Sequence, residues 1–208
     1  VNQQAKQFIS PQLSTPVSII DAGCGEGYYS TRLHQHLQAA NIDHEIVGID
    51  ISKAACRVAA KRSRTIAWLV AGSSDMPVAD HSADLILCLF APIQPSEFAR
   101  CLNAGGQLLI ASTGPQHLFE LRELLYDSVD TSSLNTHTLL QPQFAPVANS
   151  AAHIQYTIDL QDSASIQDLL SMTPHYWRAS ADKKSALNTI QQLSVRVDIQ
   201  LNRYSLVL

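Results

Sequence analysis

Apolar and polar positions change rhythm along this chain, and each change marks an element. Val17–Asp21 and Glu45–Asp50 are short apolar runs ending in an acid, the form of a buried strand that enters a turn. Between them, Tyr29, Leu33 and Leu37 recur at helical spacing and predict a helix over Tyr28–Ala40. Ser52 stands directly before a run of good helix formers, so it predicts the N-cap of a helix Lys53–Ser63. Thr65–Ala71 reads as a third strand. Asp84–Phe90 is a continuous apolar run after an acid, as in a strand covered on both faces. Glu97–Leu102 reads as a short helix, and Asn103–Gly106 as a turn into the strand Gln107–Ala111. Leu118, Leu121 and Leu125 then share one side of a helix Leu118–Tyr126. Strands and helices alternate throughout, which predicts an α/β fold with a doubly wound, mostly parallel sheet and right-handed crossovers.

Past Tyr126 the periodicity fades. Asp127–Asn149 is polar, weakly charged and holds Pro142 and Pro146, so a loop insertion is expected at about 127–150, a lid or a loop over the carboxyl edge of the sheet. Ile154, Tyr156, Ile158 and Leu160 alternate with polar residues and predict a strand. Ser163 or Ser165 is placed to cap a helix running to about Met172, and Ala181–Leu193 reads as another. Val195, Val197, Ile199 and Leu201 alternate with Arg196, Asp198, Gln200 and Asn202, which predicts a long closing strand, expected to be antiparallel. No internal repeat or second domain is visible, and 208 residues fit a single domain with a full core.

Composition narrows the setting. An apolar content of 46% is that of an ordinary globular protein. No apolar run approaches the roughly 20 residues that span a bilayer, and no basic-then-apolar leader is seen, so a cytoplasmic protein is expected. Cys24, Cys56, Cys88 and Cys101 form no C-x-x-C pair and read as small buried hydrophobes. The eight histidines include no H-x-x-x-H or H-E-x-x-H spacing, so no metal site is expected. A net charge of −4 argues mildly against a protein that wraps nucleic acid unaided. The basic cluster Lys61-Arg62-Ser63-Arg64 falls where a helix ends, and complements its dipole.

The candidate chemistry centres on Ile19-Ile20-Asp21-Ala22-Gly23-Cys24-Gly25-Glu26-Gly27-Tyr28, a strand that runs through an acid into a glycine-rich turn. Such a turn lets main chain approach a nucleotide-like ligand closely. A dinucleotide turn wants G-x-G-x-x-G, but the third glycine here comes one residue early, with Tyr28 in its place. Asp50 ends the second strand, where a carboxylate can accept hydrogen bonds from both hydroxyls of a ribose. Asp21, the early glycine and Asp50 together resemble the cofactor motifs of the class I S-adenosylmethionine (SAM) methyltransferases, whose sheet has seven strands with the last antiparallel.

Further segments resemble a narrower group. Asp21 through Tyr29, Gly48-Ile-Asp-Ile-Ser-Lys53, Ala59-Ala-Lys-Arg62, Phe90-Ala-Pro92, Gly114-Pro-Gln-His-Leu118 and Met172-Thr-Pro-His-Tyr-Trp-Arg-Ala179 occur in the order found in the RlmA-type 23S rRNA guanine-N1 methyltransferases. The resemblance implies SAM-dependent methylation of guanine N1 in a large-subunit rRNA hairpin by a homodimer. It further implies a cofactor site at Asp21, Gly23, Gly25, Gly27, Tyr28, Asp50 and Ile51, with Ser73 and Ser74 at the adenine and Phe90 and Ala91 near the methyl group. Pro92, Gln116, Trp177 and Arg178 are expected on the substrate side. His117 is the candidate for removing the N1 proton or holding the base edge, since imidazole titrates near working pH; a structural histidine capping the next helix is the alternative. Glu26 and Asp75 suit either a cofactor contact or ordinary solvated positions.

Two features depart from that pattern. The family's N-terminal zinc ribbon is missing, so the chain reads as a catalytic-domain fragment. Gln116 stands where the family commonly has Arg, which removes a phosphate or base contact. A small-molecule methyltransferase of the quinone or metabolite type, or a catalytically inactive SAM-binding domain, remain the alternatives.

Overall fold

The computed structural model describes residues 16–132 and 135–207. It divides into two compact units. One comprises the described residues up to Ser112, together with Asn135–Ala151 and the chain from Leu201 on; the other comprises Thr113 onward to 132 and Ala152–Gln200.

The first unit carries β1 (Val17–Ala22), α1 (Tyr28–Ala39), β2 (His44–Asp50), α2 (Lys53–Arg62), β3 (Ala67–Val70), β4 (Ala83–Leu89), α3 (Pro95–Cys101) and β5 (Leu102–Thr113). β1 lies parallel to both β2 and β4, β3 extends the sheet parallel to β2, and β5 lies parallel to β4. All seven residues of β4 are buried, as the unbroken apolar run requires of a strand covered on both faces. Two later elements complete the unit, α4 (Phe119–Leu125) of the second unit having intervened in the chain: α5 (Thr136–Leu140) and β6 (Phe144–Pro146). β6 pairs antiparallel with β8 (Leu193–Leu206), through Phe144 against Leu206 and Pro146 against Tyr204. The strand order is β3-β2-β1-β4-β5-β8-β6, with β7 (Ala152–Leu160) paired to β8. This is the doubly wound, mostly parallel α/β sheet with an antiparallel closing strand. Its core gathers Ile20, Ile86, Phe98, Leu108, Leu140 and Phe144.

The second unit joins α4, β7, α6 (Ser163–Ser171), α7 (His175–Arg178), α8 (Ala181–Leu187) and the first part of β8. Leu118, Leu121, Leu125, Ile166, Leu170 and Leu187 form its core.

Several local readings are revised. The stretch read as a loop at 127–150 contains α5 and β6, because β8 offers β6 an edge that no local pattern announces. Asn103–Gly106 lies within β5; the register shifts between Ala83 and Leu85, which absorbs the irregular glycine pair. Asp162, not Ser163 or Ser165, caps α6, taking the Ser165 N–H at 2.7 Å. α8 stops at Leu187, well short of Leu193. Ser52 does cap α2, accepting the Ala55 N–H at 3.2 Å. All four cysteines are buried with free thiols. Among the described residues no helix is long and apolar enough to cross a membrane, and no cluster of three or more His, Cys, Asp or Glu is arranged to hold a metal ion.

Candidate functional site

In the first unit, β1 delivers Asp21 to the head of the glycine turn. Gly23 (φ +82°) donates its N–H to Ile49 O at 2.8 Å, which ties the turn to the end of β2. A Cβ on Gly23 would stand 2.4 Å from the Ala91 Cβ, so this glycine is bare because the chain after β4 passes directly over it. Gly25 (φ +54°) differs: an added Cβ meets nothing within 4 Å. Its main chain therefore faces open space, while its N–H is held by Asp50 Oδ2 at 2.9 Å. Asp50 Oδ1 takes the Ser52 N–H at 2.8 Å. The carboxylate is thus locked in orientation by main chain on both oxygens, and each oxygen keeps a second lone pair for a ligand.

Asp21 is 1% exposed and accepts a short bond of 2.5 Å from the Ser30 hydroxyl. Burial, opposed by that bond and aided by the nearby charge of Asp50, pushes its carboxyl up to about 6. No cation pairs with it among the described residues. A buried acid without a counter-ion beside an open glycine main chain suits a ligand that is cationic and nucleoside-like. SAM is such a ligand, with a sulfonium and an ammonium on an adenosine frame; the residues present fit it. Asp21, Gly25 and Asp50 would hold it, and what it supplies when bound is an electrophilic methyl group.

Around this turn the other expected residues fall as follows. Ile51 is 80% exposed directly after Asp50, an apolar side chain without cover beside the carboxylate. Ser73 and Ser74 follow β3 at its carboxyl end, in a turn joined to β2 through the Ala71 N–H to Asp50 O bond. Phe90 sits at the end of β4 with φ +58°, a left-handed conformation that is costly for an aromatic residue, at roughly 1–3 kcal/mol. Ala91 packs on Gly23, and Pro92 follows it. Tyr28 is half-exposed at the head of α1, with the guanidinium groups of Arg32 and Arg62 at 5.6 and 5.9 Å from its ring centroid. Glu26 pairs with Arg62 at 3.7 Å.

Sequence reading missed Trp68. Its indole fills the space where a Cβ on Gly27 or Gly48 would stand, within 2.4 Å in both cases, and so braces the turn from β3. Gly48 in mid-strand signals a close approach, but not by which side chain.

The second unit holds Gln116, His117, Trp177 and Arg178. Here the organising residue is Asp198 of β8, buried to 0% exposure. It accepts the Gln116 N–H at 2.9 Å and the His153 Nε2–H at 2.5 Å. Although burial opposes it, these donors hold its carboxyl below the usual value. The main chain of Asp198 is also engaged: its N–H donates to His117 Nδ1 at 3.2 Å and its carbonyl accepts the Gly114 N–H at 2.9 Å. A Cβ on Gly114 would fall 2.3 Å from Asp198 Oδ1, which explains the glycine. Burial pushes the His117 imidazole down, so the ring is neutral, with its Nδ1 an acceptor and its proton on Nε2. The Gln116 side chain accepts from Arg196 at 2.8 Å. Trp177 is 83% exposed on α7 and Arg178 is exposed beside it.

The sheet order, the glycine turn and the β2 carboxylate define a Rossmann-like nucleoside-binding domain of the methyltransferase kind. Residues 19–108 match the family model described as a methyltransferase domain. The chain thus carries a methyltransferase domain over these residues. Among curated proteins it is 30% identical over 88% of its length to YxjB of Bacillus subtilis strain 168, a candidate 23S rRNA (guanine-N1)-methyltransferase. It is 28% identical over 81% of its length to the 23S rRNA (guanine(748)-N1)-methyltransferase of Streptomyces fradiae. It covers 65% and 59% of those two proteins, and so spans about three-fifths of their length. A malonyl-[acyl-carrier protein] O-methyltransferase of Dechloromonas aromatica strain RCB is 33% identical over 60% of this chain and 45% of its own. Among solved structures, the YcgJ protein of Bacillus subtilis superposes with a TM-score of 0.62 at 17% identity, covering 97% of both chains. Geranyl diphosphate C-methyltransferase of Streptomyces coelicolor, solved with S-adenosyl-L-homocysteine, gives 0.55 at 14% identity over 99% of this chain and 75% of its own. Both show the fold.

Proposed function

We propose that this chain transfers the methyl group of SAM to N1 of a guanine in a large-subunit rRNA hairpin. The observation that carries the cofactor half is the pairing of Gly25 and Asp50: an open main-chain surface and a carboxylate fixed beside it at 2.9 Å. The substrate half is supported by the relatives whose names specify 23S rRNA guanine N1, because their similarity runs over 81–88% of the chain and so includes the second unit. The malonyl-[acyl-carrier protein] methyltransferase matches 60% of the chain. It favours a second reading, methylation of a small acyl acid, less strongly.

Ile51, Ser73, Ser74, Phe90 and Ala91 are assigned to the cofactor with Asp21 and the glycines; Pro92, Gln116, Trp177 and Arg178 to the RNA. An exposed indole beside a guanidinium suits stacking on an unpaired base. Guanine N1 lies on the Watson–Crick edge, so the base must be unstacked or already single-stranded to react. A homodimer acting in the cytoplasm completes the reading. The test is to incubate a large-subunit rRNA hairpin and, separately, malonyl-acyl carrier protein with labelled SAM, then to identify the product by mass spectrometry. 1-Methylguanosine is the expected product; label on the malonyl carboxylate alone would replace this reading with the second. Light scattering across a concentration series checks the dimer.

A further inference from the structure

We infer that His117 and His153, set with opposite polarity by Asp198, form a donor–acceptor pair for the lactam edge of the guanine, with His153 taking the N1 proton. The inference rests on the guanine-N1 reading and adds to it a residue, a proton path and a basis for choosing the base.

The argument starts from what each ring has left to offer. His117 Nδ1 is occupied by the Asp198 N–H, so the neutral ring presents an N–H at Nε2. His153 Nε2 is occupied by the Asp198 carboxylate at 2.5 Å, and a carboxylate accepts only, so Nε2 carries a proton and the neutral ring has its lone pair on Nδ1. That Nδ1 meets no hydrogen-bond partner among the described residues, and the side chain is 53% exposed. One buried residue therefore holds two imidazoles, one showing a donor and the other a lone pair. Asp198 itself is held from two further directions, by the Gln116 N–H at its carboxylate and the Gly114 N–H at its main-chain carbonyl.

Guanine offers the complementary pattern along one edge: O6 accepts and N1–H donates. Adenine reverses both. His117 Nε2–H bonds O6 and stabilises the negative charge that develops there. His153 Nδ1 takes the N1 proton. The electron pair of that N–H bond stays on N1 and forms the new bond to the methyl carbon, as the sulfonium carbon–sulfur bond breaks and its pair returns to sulfur. The proton rests on an imidazolium paired with the Asp198 carboxylate, an arrangement of buried acid and oriented histidine familiar in general-base catalysis.

Two measurements test this. Imidazole nitrogen spectra of the 15N-labelled, cofactor-free protein, taken where the rings are neutral, are expected to show both protonated at Nε2, with His153 Nδ1 bare. An Nδ1–H form at either ring overturns the pairing, whatever the substrate. Methyl transfer to the hairpin is then compared across variants and bases. His153→Ala is expected to lower kcat about 100-fold or more with little change in RNA affinity, and added imidazole to restore part of it. His117→Gln, which keeps a donor at the ε position, is expected to retain more activity than His117→Ala. Inosine at the target, which keeps the lactam edge, is expected to react within about tenfold of guanosine, one neutral hydrogen bond's worth, and adenosine not at all. A fully active His153→Ala, or inosine rejected as strongly as adenosine, overturns the inference. A wild-type chain that methylates no guanine sinks the guanine-N1 reading instead, and the nitrogen spectra still report on the pair.

Discussion

Single residues carry the sharpest consequences. Asp21 is buried with its carboxyl pushed up to about 6, and a cationic ligand beside it favours the ionised form. Cofactor binding near that pH is therefore expected to release a proton, and SAM affinity to fall as pH drops below about 6. Calorimetry in buffers of different ionisation enthalpy checks it; a pH-independent affinity that persists in Asp21→Asn would remove Asp21 from the cofactor. Without ligand the sign reverses. A raised carboxyl adds stability fully below the ordinary value of 3.8, and that contribution is lost as pH climbs through 6. Gly114 makes a second test. Alanine there would drive a methyl group into a buried carboxylate, at an expected cost of about 1–3 kcal/mol in urea unfolding. A change within about 0.5 kcal/mol, the range of surface substitutions, would show that the turn yields.

At the scale of elements, Trp68 on β3 spans two glycines, one in the turn and one on β2. Gly48→Ala is expected to destabilise the wild type, and markedly less so in a Trp68→Leu background, where the ring is gone. Equal costs in the two backgrounds, read as a double-mutant cycle, would mean that the ring does not brace the turn. Most elements were legible because their signals are local: the acid-ended strands, the Ser52 cap, the apolar run of β4. What was not legible depends on partners distant in the chain. β6 exists because β8 lies beside it. Asp198 falls on the polar phase of an alternating strand and reads as solvent-facing. It is fully buried because His153 and Gln116, neither near it in sequence, supply its hydrogen bonds. In the proposed cofactor site, the acid-ended strands and the glycine turn were visible as a pattern of spacing; the open side of Gly25 and the Trp68 brace were not.

For the molecule as a whole, a ligand that binds only the folded form raises the free energy of unfolding by about 2.7 kcal/mol at a hundredfold excess over its Kd. SAM is expected to raise the thermal midpoint of this chain accordingly. Asp50→Ala is expected to weaken that response, since charge-assisted bonds of roughly 1.5–3 kcal/mol each would be lost. A wild-type midpoint that does not move with saturating SAM would remove the cofactor assignment. The four cysteines extend the same argument to handling. All are buried, and burial pushes the Cys88 thiol up to about 12 and that of Cys101 up to about 11, with Cys24 and Cys56 also raised. Native protein should therefore ignore maleimides at neutral pH, so one new surface cysteine would take a fluorophore alone, and the rate at which the natural four become alkylated would clock the opening of the core.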